Sequence, residues 1–194
     1  MDADTKPHRS DRLRATGIAW ATLPRALVVD GRPGHLELRR ADPRDGAALA
    51  AMHARCTVDS ILRRYLFAVP AVSVRWQAEL VATSLAVVAA DPERAQVHAL
   101  GTVADLDGGS TAELAVLVED AWQGRGIGTA MARHLAALAW LAGYRIARMD
   151  VLPSSVVARH VAELLGPLVA VVGVGVTRLT LPLRVEALGG LSAA

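Results

Sequence analysis

The chain has 194 residues, 53% of them hydrophobic, with 21 basic against 19 acidic side chains for a net charge of +2. That length suits one domain with a sizeable core, and the apolar fraction excludes disorder as the default. The balanced charge, with no basic run interleaved with aromatics, argues against a nucleic-acid platform, and 4% aromatics means a core of Ala, Val and Leu.

Residues 1–16 are small, polar and charged, which reads as a loose tail and not as a secretory leader. Residues 17–29 are more apolar and read as an added strand or a segment packed over the domain. Asp30-Gly31-Arg32-Pro33-Gly34 reads as a turn. The alternation His35-Leu36-Glu37-Leu38-Arg39 predicts a first strand. Asp42-Pro43 is an N-cap followed by a first-turn proline, so a helix is expected over 43–56. A second helix is expected over 59–67, and Ser73 is placed to cap a third to Val81. Strands over 85–89 and 96–103 flank the turn 91–94. A Gly-Gly turn at 107–110 leads into a strand over 112–118, and a long helical pattern then runs to about Ala142, where Gly143 stops it. A strand over 145–151, a helix capped by Ser154 or Ser155 and ending at Leu165, and strands over 168–174 and 176–183 complete the chain. The order predicts an α+β fold with a mixed, mostly antiparallel sheet and a βαβ unit. The expected division is an N-terminal tail with its extra strand at 1–34, a domain at 35–185 and a C-terminal tail at 186–194.

The most informative stretch is Gln123-Gly124-Arg125-Gly126-Ile127-Gly128, between the strand ending at Val118 and the long helix. Glycines let backbone N–H groups converge, a helix start leaves N–H groups unpaired, and the helix dipole adds positive potential. Together with Arg125 this predicts a diphosphate site. A Walker-type loop requires a lysine that is absent here. A dinucleotide fingerprint is imitated by Gly124, Gly126 and Asp150, but its third glycine position is Thr129 and the spacer from the strand is long. The remaining pattern is Gln-x-x-Gly-x-Gly, five residues beyond the strand's last apolar residue.

That pattern resembles the acetyl-CoA signature of the GNAT family of N-acetyltransferases, and the resemblance extends over about 35–183. It implies a GNAT fold, acetyl-CoA as co-substrate and direct attack of a primary amine on the thioester. By the same resemblance, Val116, Leu117 and Val118 line the pantetheine arm, Gln123, Gly124, Arg125, Gly126, Ile127, Gly128 and Thr129 hold the diphosphate, and Ser155 stands where many members carry an asparagine. The stretches 52–67 and 112–123 resemble bacterial protein-lysine acetyltransferases, which implies a protein lysine as acceptor. A small amine or antibiotic is the alternative, and a non-catalytic acyl-CoA binder is a third. The tyrosine that protonates the leaving thiolate in many members is replaced by Ala162, with His160 nearby.

An amine with a pKa of about 10.4 must lose a proton before it attacks. Glu113 is the expected base. It shares a strand face with Ala115 and Leu117, while Leu114, Val116 and Val118 share the other. Small and apolar neighbours would raise its pKa; the alternative is a solvated carboxylate at a strand start. A backbone N–H near Val118 is expected to stabilise the thioester oxygen if strand pairing opens there.

Other chemistry-bearing residues read blandly. Glu119 and Asp120 are expected to be solvated loop charges, His53 a surface histidine, Cys56 a buried thiol, and His98 and His134 structural or exposed. Trp122 and Trp140 read as packing residues. His53 and Cys56 lack the partners of a metal site, so no metal is expected. Cys56 is the only cysteine and no apolar run spans a membrane, so a soluble, cytoplasmic protein without disulfides, nucleic-acid or membrane partners is expected, as monomer or homodimer.

Overall fold

Alternating apolar residues assemble into one eight-stranded sheet in the computed structural model, which describes residues 25–29, 32–69, 72–93 and 96–184. The strands are β1 (Arg25–Val29), β2 (Arg32–Arg40), β3 (Leu85–Asp91), β4 (Gln96–Asp105), β5 (Thr111–Val118), β6 (Ile146–Val151), β7 (Val169–Val172) and β8 (Thr177–Pro182). The helices are α1 (Gly46–Ala54), α2 (Val58–Tyr65), α3 (Val74–Thr83), α4 (Ile127–Leu141) and α5 (Val156–Leu165). The sheet order is β1-β2-β3-β4-β5-β6-β8-β7, antiparallel throughout except for the parallel pair β5–β6. The α+β class and the βαβ unit β5–α4–β6 match the expectation.

The two faces of β5 decide the layers. Ala112 and Leu114, with Val116 and Val118 beside them, join the core formed with α4 and α5. Leu117 joins the second core, with Leu49 and Met52 of α1 and Val81 of α3. The pleat puts Glu113 and Ala115 on the Leu117 side. Alanines at 132, 136 and 139 let α4 lie close to the sheet, where they are buried. β4 answers with Gly101, where a Cβ would meet Leu135 Cδ1 at 2.9 Å and Met131 Cε at 3.1 Å.

Local signals explain the starts of three helical segments. Asp42 forms a capping box with Asp45. Thr57 caps α2 and Ser73 caps α3. The single helix expected over 43–56 is instead a 3-10 turn, Pro43–Asp45, followed by α1 from Gly46. At Gly46 a Cβ would lie 2.8 Å from the Val74 carbonyl, so α1 and α3 cross at a point that excludes a side chain. The turn expected at 30–34 is largely strand, because β2 begins at Arg32 and pairs with β1; residues 30 and 31 lie outside the described ones. The long helix begins at Ile127, leaving residues 123–126 as a loop. Ser155 occupies the N-cap of α5, but its hydroxyl makes no cap bond. β7 is a wholly exposed edge strand. No helix of the described residues is long and apolar enough to cross a membrane.

Candidate active site

β5 and β6 start side by side and then part. Their register runs only from Thr111↔Ile146 to Glu113↔Arg148. β5 keeps its other partner to the end, with Ala99↔Val118 the last pair on β4. At the two ends of that ladder Leu106 donates to Thr111 O and Glu119 donates to His98 O. In an antiparallel ladder, backbone groups alternate between the two edges. The odd-numbered residues therefore bond β4, and the N–H groups of Val116 and Val118 face the gap that β6 has left.

A cleft of about 930 Å³ occupies this gap. Glu113, Val116, Leu117, Val118, Gln123, Gly124, Gly126, Ile127, Gly128, Thr129 and Ser155 all line it. Among the predicted site residues Arg125 lies off this lining; its guanidinium stacks 5.0 Å above the Trp122 ring. Gly124 and Gly126 have φ values of +74° and +81°, a conformation that favours glycine, and they turn the chain so that α4 points its first turn at the cleft. The first bond of that helix runs from Ala130 N to Gly126 O. The N–H groups of Ile127, Gly128 and Thr129 thus lack helical partners, and no side chain among the described residues caps this end. A diphosphate fits this donor set.

The Gln123 side chain is engaged within the protein. Its amide donates to Val118 O at 3.0 Å and to Ser60 Oγ at 3.1 Å, closing the loop onto β5 and α2. Its neighbours brace the same loop. Asp120 accepts from Thr57 N at 2.8 Å, Thr57 Oγ1 at 2.9 Å and Ser60 Oγ at 2.9 Å. Glu119 takes a bidentate pair from Arg55 at 2.9 Å and a further bond from His98 Nδ1 at 2.8 Å. Trp122 packs on the His98 ring at 4.2 Å. The two acids read as solvated loop charges are therefore structural: Glu119 is buried, and Asp120 ties the N-terminus of α2 to the loop. Burial alone would raise the Glu119 carboxyl, but the hydrogen bonds from Arg55 and His98 outweigh it and hold it below the usual carboxylate range. Asp120 is likewise lowered, its bonds from Thr57 and Ser60 overcoming burial.

Past the loop the cleft is lined by side chains. Glu113 projects from β5 beside Ala115. Its surroundings differ from the small, apolar ones expected, because Arg148 is its register partner on β6 and Arg64 of α2 also feels its charge. Arg64 Nη2 donates to Thr102 Oγ1 at 2.9 Å, and Thr102 is the cross-strand partner of Ala115. Asp150 accepts from Arg148 at 2.6 Å and Arg178 at 3.2 Å; Arg148 first, then Arg178, hold its carboxyl low against the opposing effect of burial. Ser155 Oγ accepts from Arg63 Nη1 at 3.2 Å, a bridge from α2 to α5 across the cleft.

Two histidine readings change. His53 is buried: Nδ1 donates to Leu49 O at 2.7 Å, which leaves Nε2 to accept from the Tyr65 hydroxyl at 2.7 Å. Burial holds its pKa below the ordinary value. His160 is exposed and off the cleft lining, and Ala162 is fully buried, so neither supplies an acid there. Cys56 is half-buried, its thiol pushed up to about 11 chiefly by burial. Among the described residues no group of three or more His, Cys, Asp and Glu is placed to hold a metal ion. The residues that sequence reasoning missed are Arg55, Thr57, Ser60, Arg64, Thr102 and Arg148. A charge pattern marks none of them, because strand register and helix packing bring them together.

Solved structures share the architecture. The GNAT domain of S. lividans PAT superposes with a TM-score of 0.71 at 23% identity, covering 82% of this chain and 97% of that one. The yncA protein of Salmonella typhimurium, solved with its cofactor acetyl-CoA, gives 0.63 at 19% identity over 78% and 95% of the two chains. A cAMP-binding acyltransferase from Mycobacterium smegmatis gives 0.59 at 21% identity over 94% of this chain, which spans 55% of that one. At these identities the likeness speaks for the fold. No curated protein sequence matches the chain significantly. The sequence pattern of the Acetyltransferase (GNAT) family matches residues 58–166, over half of the chain. The chain belongs to the GNAT family and is an acetyl-CoA-dependent acetyltransferase.

Proposed function

We propose that this cleft transfers acetyl from acetyl-CoA to the side-chain amine of a protein lysine, by direct attack in a ternary complex. The observation that carries the transfer is the parting of β5 from β6 beside an uncapped helix start, with a carboxylate on the adjoining strand face. The unpaired amides of residues 127–129 hold the diphosphate, assisted by the Arg125 charge. Val116 and Val118 offer backbone groups to the pantetheine arm, and Ser155 lines the cleft beside Arg63. Of the two gap-facing amides the Val116 N–H is the nearer to Glu113, and it donates to the thioester oxygen as charge develops on it.

Glu113 takes the proton from the acceptor ammonium. The amine nitrogen then bonds to the acetyl carbon, the carbon–sulfur bond breaks, and the thiolate leaves with the electron pair. Solvent protonates it, since neither Ala162 nor His160 lines the cleft. The protein-lysine acceptor rests on the resemblance of residues 52–67 and 112–123. A small amine is the second reading, and the arginines around Glu113 suit it only where the amine also carries an anionic group. Incubation with labelled acetyl-CoA and two panels, cellular proteins and small amines, tests both. Label on lysines of folded proteins is the expected result. Label confined to small amines selects the second reading, and label in neither panel sinks the proposal.

A further inference from the structure

Most charges on the cleft wall are already matched within the protein. Asp59 holds Arg63 at 2.6 Å, Asp150 holds Arg148 at 2.6 Å, and Asp120 is spent on the start of α2. Two are left over. Among the described residues neither Glu113 nor Arg64 has an oppositely charged side chain within 4.0 Å. Arg64 is packed between the sheet and Tyr65, whose ring lies 4.8 Å from its guanidinium carbon. Thr102 satisfies one nitrogen, while the Nε–H is buried with no acceptor among the described residues. The Arg64 side chain is half-buried with its Nε edge desolvated, and a guanidinium edge taken out of water without an acceptor is costly unless an anion or another acceptor answers it. An arginine stays protonated even there, so the demand persists.

The two unmatched charges stand on one face of the sheet. Glu113 pairs with Ala104 across the strands, and Thr102, which Arg64 holds, is two residues along from Ala104. Such diagonal neighbours are about 7–8 Å apart. That figure separates the strand positions; the side chains lean in from there, and an amine and a carboxylate held close together in the acceptor answer both charges within hydrogen-bond reach. We propose that the acceptor carries a carboxylate beside its amine, bound by Arg64 while Glu113 receives the ammonium. This rests on the transfer reading above and narrows its acceptor. The same pair of charges is offered by a free amino acid and by a lysine with an acidic residue next to it.

The test is a set of matched acceptors with the full chain and acetyl-CoA: an amino acid against its amide, and a lysine peptide with flanking glutamate against the same peptide with glutamine. In at least one pair the carboxylate form is expected to have a kcat/KM about 10- to 100-fold higher, the worth of a charge-assisted contact. The pair that responds identifies the source. Arg64→Gln should bring that ratio close to one, and Arg64→Lys should keep part of it. Acetyl-CoA affinity and the melting midpoint check that each variant folds; if Arg64→Gln does not, the wild-type ratio alone decides. Equal kcat/KM within both pairs, or a ratio that survives in folded Arg64→Gln, overturns the inference. Acetyl-CoA binding with no transfer to any of the four acceptors overturns the transfer reading itself.

Discussion

The two halves of the cleft are built from different materials. The half offered to the diphosphate is backbone, supplied by one continuous stretch from Val118 to Thr129. The half offered to the amine is side chains, supplied by α2, β5, β6 and α5 and assembled by register and packing. A backbone site needs glycine and a helix start, both of which are local. A side-chain site needs several residues to arrive from afar. The first half is thereby fixed by few residues and the second is free to vary, which suits one shared donor and many acceptors.

The sharpest way to break that division is Glu113→Gln. If the acceptor half does the proton chemistry alone, turnover should fall by about 100-fold or more, the ordinary worth of a positioned base. Acetyl-CoA affinity, read by calorimetry, should stay as it was. A variant with intact turnover would remove Glu113 from the mechanism; one with lost affinity would show that the halves are not separable.

The same division explains what could be read in the sequence. Gln123, Gly126 and Gly128 stand at fixed distances from Val118, so the loop was visible as a string. The alternation in β5 gave the face of Glu113 correctly, because a pleat has period two. Its neighbours were beyond reach. That Arg148 lies opposite Glu113 depends on the β5–β6 register, and that Arg64 stands over Thr102 depends on how α2 crosses the sheet. Glu119 and Asp120 misled for a related reason. Two acids in a loop look solvated until Arg55, His98, Thr57 and Ser60 are brought to them. In the fold itself, β1 was half legible from its apolar residues, while the break at Gly46 was not, because it answers a carbonyl on α3.

Glycine substitutions sharpen the backbone half. Gly126→Ala forces a side chain into a left-handed residue, at a cost of about 1–2 kcal/mol. The added Cβ meets nothing within 4 Å among the described residues, so the penalty is conformational and not steric. Stability and acetyl-CoA affinity should both drop, the latter by about tenfold. Gly128→Ala is the contrast, since its Cβ would sit 3.7 Å from Val118 Cγ2, an ordinary contact within a helix. It should leave the melting midpoint unharmed. A fall in affinity there would mean that the phosphates need the room and not only the turn.

Arg125→Glu is a smaller perturbation of the same half. The side chain is exposed and held over Trp122, so its charge acts through solvent. Reversal should weaken acetyl-CoA binding by about 1 kcal/mol, roughly fivefold, and the difference should shrink as salt is raised. Calorimetry at two ionic strengths checks both parts. Equal affinity at low salt would leave the diphosphate to the backbone amides alone.

Acid should loosen the supports of the two halves at different pH values. His53 lies under the acceptor half and burial depresses its pKa, so the unfolded chain takes up that proton first. Its contribution is intact above about pH 6.5 and is lost as pH falls from there through its folded value. Glu119 braces the cofactor loop with its carboxyl held below the usual range. Its contribution is intact above about pH 4.3 and is lost as pH falls through the depressed folded value. Denaturant midpoints followed downward from pH 8 should therefore begin to decline near neutrality and decline again in stronger acid. Glu119→Gln should run parallel to the parent through the first decline, with the gap between them narrowing in the second. A gap that stays constant down to pH 3 would mean that the Arg55–Glu119–His98 cluster holds the loop by shape and hydrogen bonding, with its charge contributing nothing to stability.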